Sequence, residues 1–181
     1  KKMDLRYGEN PHQKAAFFRN PLNRDANVTN ANLLSEGKEL SFNNMLDTDS
    51  AFELCKEFER PTAVFVKHNN PCGVASAEKI EEAFALSYQV DPLSAYGAVT
   101  AFNREVNEKI VDYIFEKKLF LEVVIAPSYS KKALAKLMQK PNLRILESGS
   151  LKRDMERRDI RKIAGGILVQ TNAPSRFPVR F

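Results

Sequence analysis

The spacing of apolar positions changes along the chain, and each change marks an element. Ala51, Leu54, Cys55 and Phe58 recur at i, i+3, i+4 and i+7. That spacing predicts one helix face, with Asp49 or Ser50 as its cap and Pro61 closing the segment. Residues 62–66 (TAVFV) form a β-branched and aromatic run and predict a buried strand. The next seven residues, Lys67 to Gly73 (KHNNPCG), are polar with turn chemistry and predict a loop. Ser76 is placed to cap a helix whose inner face carries Ile80, Ala83, Phe84 and Ser87. A loop from Asp91 to Gly97 leads into a second strand over 98–102. Asn107 caps a helix bearing Ile110, Val111, Ile114 and Phe115, and residues 122–126 predict a third strand ended by Pro127. Ser130 caps a helix with Ala133, Leu134 and Leu137 that stops before Pro141. Residues 143–146 and 167–169 read as two further strands.

The first part of the chain lacks this alternation. Gly8, Asn10, Pro11, Asn20, Pro21, Asn23 and Gly37 punctuate it at turn spacing, and only residues 15–18 (AAFF) suggest a short strand or helical turn. Three stretches are expected: a loop-rich arm over 1–47, an α/β region over 48–170 and a tail over 171–181. Strands alternating with capped amphipathic helices predict an α/β fold, with a largely parallel or mixed sheet and helices on both faces. Ligands in such sheets sit beyond the carboxyl ends of the strands, which directs attention to the loops after Val66 and around Pro127. The approach over 91–97 is a third candidate.

Composition narrows the function classes. The chain has 181 residues, one domain or two small halves, and 43% of them are hydrophobic, enough for a core. Lys and Arg number 28 against 23 Asp and Glu, so 28 − 23 gives +5. That balance suits an anionic small molecule and is too diffuse to demand nucleic acid. The dense charge of residues 152–162 carries both signs and reads as a solvated connection. No apolar run approaches the ~18 residues of a spanning helix, so no membrane partner is expected. The start has no apolar segment behind its lysines, so no secretory signal is read there. It does not begin with Met, and a piece of a longer protein is expected. Cys55 and Cys72 read as reduced thiols of a cytoplasmic protein. With only His12 and His68 beside them, no metal site has ligand spacing.

Two clusters carry chemistry. Lys67 and His68 directly follow a predicted strand. They put an ammonium, able to stabilise an oxyanion, beside an imidazole able to take a proton. The plainer reading is a strand-end lysine and a histidine satisfied by backbone. The second cluster is residues 6–13 (RYGENPHQ), where Arg6 suits a phosphate and Tyr7 offers a face to a planar ring. A polar arm held down by surface contacts is the alternative. Gly97 lets a ligand approach the backbone, although the segment matches no phosphate-loop pattern. Glu122 could accept from an amide or a hydroxyl, or be an ordinary strand-end carboxylate. Cys72 lacks the orienting third group of a catalytic thiol.

Taken in order, RYGENPHQ, GKELSFNN, VKHNNPCG, DPLSAYGAV, EVVIAPSYS and GGILVQ resemble one family over Arg6 to Gln170. It is the AICAR formyltransferase part of the bifunctional purine biosynthesis enzymes, in which phosphoribosylaminoimidazolecarboxamide formyltransferase is joined to IMP cyclohydrolase. The resemblance implies transfer of the formyl group of 10-formyltetrahydrofolate to the 5-amino group of AICAR, with no metal in the transfer. It implies His68 as base, Lys67 as transition-state stabiliser, and Arg6, Tyr7, His68, Gly97 and Glu122 as AICAR contacts, Glu122 standing where some relatives have Asp. A cytidine-deaminase-like fold and a homodimer with shared active sites are also implied. Nothing here corresponds to the cyclohydrolase or to the second half of the formyltransferase region. A nucleotide-binding module without turnover is therefore the alternative.

Overall fold

A computed structural model describes residues 3–20, 26–36, 39–151 and 158–171. The chain divides into two compact units, Lys1–Leu151 and Lys152–Phe181. In chain order the first unit contains β1 (Met3–Leu5), β2 (Ala15–Phe17), β3 (Asn32–Leu33), α1 (Phe42–Cys55), β4 (Thr62–Lys67) and β5 (Asn70–Ser76). It continues with α2 (Ile80–Val90), β6 (Ala98–Phe102), α3 (Glu108–Glu116), β7 (Leu121–Ala126), α4 (Lys131–Leu137) and β8 (Arg144–Glu147). The second unit contains β9 (Arg158–Ile163) and β10 (Gly166–Thr171), an antiparallel hairpin in which Gly166 opposes Ile163.

A six-stranded sheet in the order β3-β8-β7-β6-β4-β5 forms the centre of the first unit. Only β6–β7 and β7–β8 are parallel; β4 runs antiparallel to both its neighbours, and β3 is antiparallel to β8. The sheet is therefore mixed rather than largely parallel. Strand alternation sorts its side chains onto two faces. Phe65, Phe102, Val124 and Ile145 meet α2, α3 and α4 on one face, where Phe84 stacks on Phe65 at 5.4 Å. Val64, Val66, Val99, Val123, Ile125 and Leu146 meet Ala51, Phe52 and Cys55 of α1 on the other. Helices on both faces are thus present as expected.

Side-chain caps start three of the helices. Asn107 accepts from the Ile110 N–H at 3.2 Å and Ser130 from the Ala133 N–H at 3.2 Å, both as the sequence predicts. Helix α1 starts earlier than its apolar spacing indicates. Ser41 accepts from the Asn44 N–H at 3.1 Å while Asn44 accepts from the Ser41 N–H at 3.2 Å, a reciprocal capping box. Residues 47 and 48 both lie inside that helix, which ends before Phe58. Ser76 does not cap α2. Its hydroxyl shares a 2.6 Å hydrogen bond with Thr62 at the end of β5, and the N-cap is Lys79, without a side-chain bond. Glu81 and Glu82 complement the first turn of α2 instead.

The largest departure is Lys67 to Gly73. These residues form a hairpin, not a loop: β4 turns over His68 and Asn69 into β5, which is the sheet edge. Pro71 is tolerated there because an edge strand leaves one row of its backbone groups unpaired. The register shifts between Phe65 and Val66, so Cys72 is an extra residue in β5. Residues 15–17 form a strand paired with β1, one of the two possibilities the sequence left open. Residues 21–25, 37–38 and 172–181 lie outside the described residues, and with them Pro21, Asn23, Gly37 and nearly all of the tail over 171–181. Of the charged run 152–162, residues 152–157 lie outside them too, and the remainder is β9.

Candidate functional site

The hairpin turn fixes where Lys67 and His68 sit. His68 and Asn69 both have positive φ, 54° and 63°, as the two central residues of a type I′ turn require. Neither is glycine, so the turn carries a conformational cost that outside contacts must offset. Helix α1 supplies them. One Asp47 carboxylate oxygen accepts from the His68 N–H at 3.2 Å and the other from the Asn69 N–H at 2.6 Å. Ser50, one helical turn further on, hydrogen-bonds the Asn69 side-chain carbonyl. Asn70 Nδ2 donates to the His68 carbonyl at 2.9 Å. The outcome is an exposed His68 beside a half-buried Lys67.

Lys67 Nζ donates to the Tyr96 carbonyl at 2.7 Å, which ties the end of β4 to the loop over 91–97. That carbonyl belongs to the peptide leading into Gly97, whose φ is +74° and whose N–H donates to the Phe120 carbonyl at 2.8 Å. Asp91 shapes the start of the loop by accepting from the Ser94 hydroxyl at 2.6 Å and the Ser94 N–H at 3.0 Å. These two bonds hold its carboxyl below the ordinary carboxylate range, with the Lys67 charge a smaller contributor. Lys67 and Gly97, predicted separately, are neighbours.

Glu122 occupies a register shift. Ala98 pairs with Leu121 and Val99 with Val123, so Glu122 is an extra residue in β7, the kind of irregularity that re-aims a side chain. It pairs with Arg144 of β8. Arg144 is 3% exposed, and its guanidinium also donates to the Glu39 carbonyl, at 3.1 Å from Nη2. The arm lies against the same segment. The Arg6 N–H donates to the Leu40 carbonyl at 3.5 Å, and the Phe42 N–H to the Tyr7 carbonyl at 3.4 Å. The exposed Arg6 guanidinium stands 5.5 Å from the centre of the Tyr7 ring. Arg144, the partner of Glu122, and the Arg6–Tyr7 backbone therefore both bond to residues 39–42.

Strand directions join these two groups. Because β4 is antiparallel to β6, the carboxyl end of β4 adjoins the amino ends of β6, β7 and β8. Lys67, His68, Gly97, Glu122 and Arg144 all lie along that one edge. Helix α1 connects the arm to the turn: Tyr7 contacts its first residue and Asp47 stands five residues on, about 7.5 Å along the axis. The loop around Pro127 follows the carboxyl end of β7, so it lies at the opposite edge and away from every other candidate residue. The two loops that the strand-end rule singled out therefore lie at opposite ends of the strands.

Sequence reasoning missed Asp47 and Arg144. The apolar spacing starts the helix at Asp49 or Ser50 and leaves residue 47 in the loop-rich arm, so Asp47 gave no signal. Arg144 did give one: a guanidinium between Leu143 and Ile145 in a buried run must have a partner. Cys72 is half-buried and burial raises its thiol, which disfavours the thiolate a nucleophile needs. Among the described residues no group of three or more His, Cys, Asp or Glu side chains is arranged to hold a metal, and no helix is long and apolar enough to cross a membrane.

Comparison with known proteins gives a consistent answer. Residues 1–178 match the family described as AICARFT/IMPCHase bienzyme. A bifunctional purine biosynthesis protein PurH from Caldicellulosiruptor bescii is 51% identical over 168 residues, 92% of this chain and 32% of its own length. The PurH of Halalkalibacterium halodurans is 49% identical over 170 residues, covering 94% of this chain and 33% of that protein. The PurH of Acetivibrio thermocellus is 48% identical over 172 residues, with the same coverage. The chain spans about a third of the length of these curated relatives. It belongs to the AICARFT/IMPCHase bienzyme family.

Proposed function

From that membership, we propose that the chain supplies one part of an AICAR formyltransferase site in purine biosynthesis. In this reading a formyl group passes from 10-formyltetrahydrofolate to the 5-amino group of AICAR, a step toward IMP. The observation that carries it is the shared edge. An exposed imidazole, an ammonium one residue away, a positive-φ glycine and a paired glutamate all line one end of the sheet.

Each residue has a role its chemistry suits. The AICAR amine is a weak nucleophile because its lone pair delocalises into the ring and carboxamide. Taking its proton during attack therefore lowers the barrier, and His68 is the base. The nitrogen attacks the formyl carbon, the carbonyl oxygen becomes an oxyanion, and Lys67 stabilises it once its ammonium swings from the Tyr96 carbonyl. Collapse breaks the bond to the folate nitrogen, which leaves with a proton; the product is a formamide. Arg6 binds the phosphate of AICAR, Tyr7 packs on its ring, Gly97 admits the nucleotide to the backbone, and Glu122 accepts from the carboxamide or a ribose hydroxyl. No residue of this chain is assigned to the folate.

The complete protein is proposed to act in the cytoplasm as a homodimer with shared active sites and to carry IMP cyclohydrolase activity outside this chain. The test is turnover of AICAR with 10-formyltetrahydrofolate by the complete natural protein, compared with His68→Ala. A loss of about 10²-fold or more is expected, the scale of general-base catalysis; wild-type turnover would remove His68 from the mechanism. Formate with ATP in place of the folate distinguishes the donors.

A second reading rests on the span of about a third of the relatives' length. By itself the chain is then an AICAR-type nucleotide-binding module without turnover. Calorimetry of the 181-residue chain with AICAR separates the two: binding without catalysis supports the module, and absence of both refutes it.

A further inference from the structure

We propose that Asp47 is a positioning residue that holds the His68 imidazole in place through the backbone of its turn. This rests on His68 as the base. Type I′ turns favour Asn-Gly or Asp-Gly at their centre, because both residues need positive φ. Here the pair is His-Asn, at 54° and 63°, and a side chain at such angles is disfavoured. The turn is exposed and sits at the sheet edge, so the strands alone hold it weakly.

Helix α1 grips it from outside. The two oxygens of Asp47 take the two consecutive N–H groups, one each, at 3.2 Å and 2.6 Å. Ser50, at i+3 on the same helix face, takes the Asn69 side chain. The helix is itself fixed, by its reciprocal Ser41–Asn44 cap and by Ala51, Phe52 and Cys55, which are fully buried. His68 thus inherits its position from the core through Asp47. The same contacts occupy both N–H groups of the turn, so neither is available to an oxyanion, and that charge falls to Lys67.

The geometry makes Asp47→Asn a sharp test. Asparagine keeps the shape but offers one acceptor oxygen, and its NH2 group would face the other N–H. In the complete natural protein, Asp47→Asn is expected to lower kcat for formyl transfer about 10- to 100-fold, the effect of a displacement near 1 Å, with KM for AICAR within about twofold. Joining Asp47→Asn to His68→Ala should cost nothing beyond His68→Ala alone, because the two act as one unit. Wild-type kcat in Asp47→Asn, or losses that multiply with His68→Ala, would each overturn the proposal. Should His68→Ala turn over normally, the catalytic reading fails, and the grip is read separately by hydrogen exchange. Asp47→Asn must then speed exchange at the His68 and Asn69 amides; unchanged protection would overturn the grip as well.

Discussion

Replacing Gly73 by alanine should destabilise the first unit through a contact that cannot relax. Gly73 lies in β5 opposite Phe65, and it is buried beneath α2. A methyl group there would stand 2.1 Å from the backbone oxygen of Ser87 and 3.1 Å from its carbonyl carbon. A flexible side chain could swing away from that contact, but a helix backbone cannot. Helix and strand would have to part by more than 1 Å, or the methyl would stay far inside contact distance. Overpacking costs about 1–3 kcal/mol, and a backbone obstacle puts this case near 3. Gly73 has no positive φ, so alanine also stiffens the unfolded chain, which returns about 0.4–1 kcal/mol. The net loss is about 2 kcal/mol. For a unit of this size that lowers Tm by roughly 4–8 °C. With an m-value of about 2 kcal/mol/M it lowers the urea midpoint by about 1 M. The chain has no tryptophan, so far-UV circular dichroism is the suitable probe. A Gly73→Ala midpoint equal to or above wild type would show that α2 does not press on β5 as described.

Four further outcomes follow from the same geometry. Gly97→Ala meets only an ordinary 3.5 Å contact with Phe120 but must adopt φ +74°, so a loss of about 1–2 kcal/mol is expected, measured by the same urea titration. Arg144→Met strands the Glu122 carboxylate. Breaking a buried pair costs about 3–5 kcal/mol, and because the Glu122 side chain is 30% exposed, about 2 is expected by thermal melting; Glu122→Gln should restore part of it. Glu81 is held below its ordinary 4.5 by a backbone N–H at the start of α2, then by Asn107 and Lys109. Its stabilisation is full above that value and fades as pH falls through the lower folded value, so Glu81→Gln should flatten the acid limb of a stability-against-pH curve. Cys55 is fully buried, its thiol donates to the Thr62 carbonyl at 3.3 Å, and burial raises its pKa. A thiol reagent should therefore modify Cys72 slowly and Cys55 only on unfolding; rapid labelling of both in native protein would contradict that packing.

What could be read from the sequence follows from how local each signal is. Asn107 and Ser130 cap α3 and α4 by bonding residues three positions away, so spacing alone revealed them. The start of α1 was hidden because its capping box uses Asn44, a residue that otherwise marks turns, and because residues 43–50 are mostly polar. The hairpin was hidden for a related reason. Pro71 and Gly73 belong to turn chemistry, yet one is tolerated by the sheet edge and the other is required by α2. Both depend on partners distant in sequence. Apolar alternation also carries no arrow: residues 62–66 look the same whether β4 runs with β6 or against it.

Direction decides where a site can form in this sheet. In a fully parallel sheet, ligand loops gather beyond the carboxyl ends of the strands. Strand β5 is parallel to β6, and β4 lies between them in the opposite sense. The turn after β4 therefore opens at the amino ends of β6, β7 and β8, beside the approach to Gly97 and the shifted Glu122. One reversed strand thus moves Lys67 and His68 to the edge where Arg144 holds Glu122 and the segment at 39–42 that seats Arg6 and Tyr7. Had β4 run parallel to β6, its turn would face Pro127 and the two groups of candidate residues would stand at opposite ends of the strands. The resemblance of six separate motifs to one family singled out these candidate residues; the antiparallel pairing of β4 with β6 is the physical reason they share an edge.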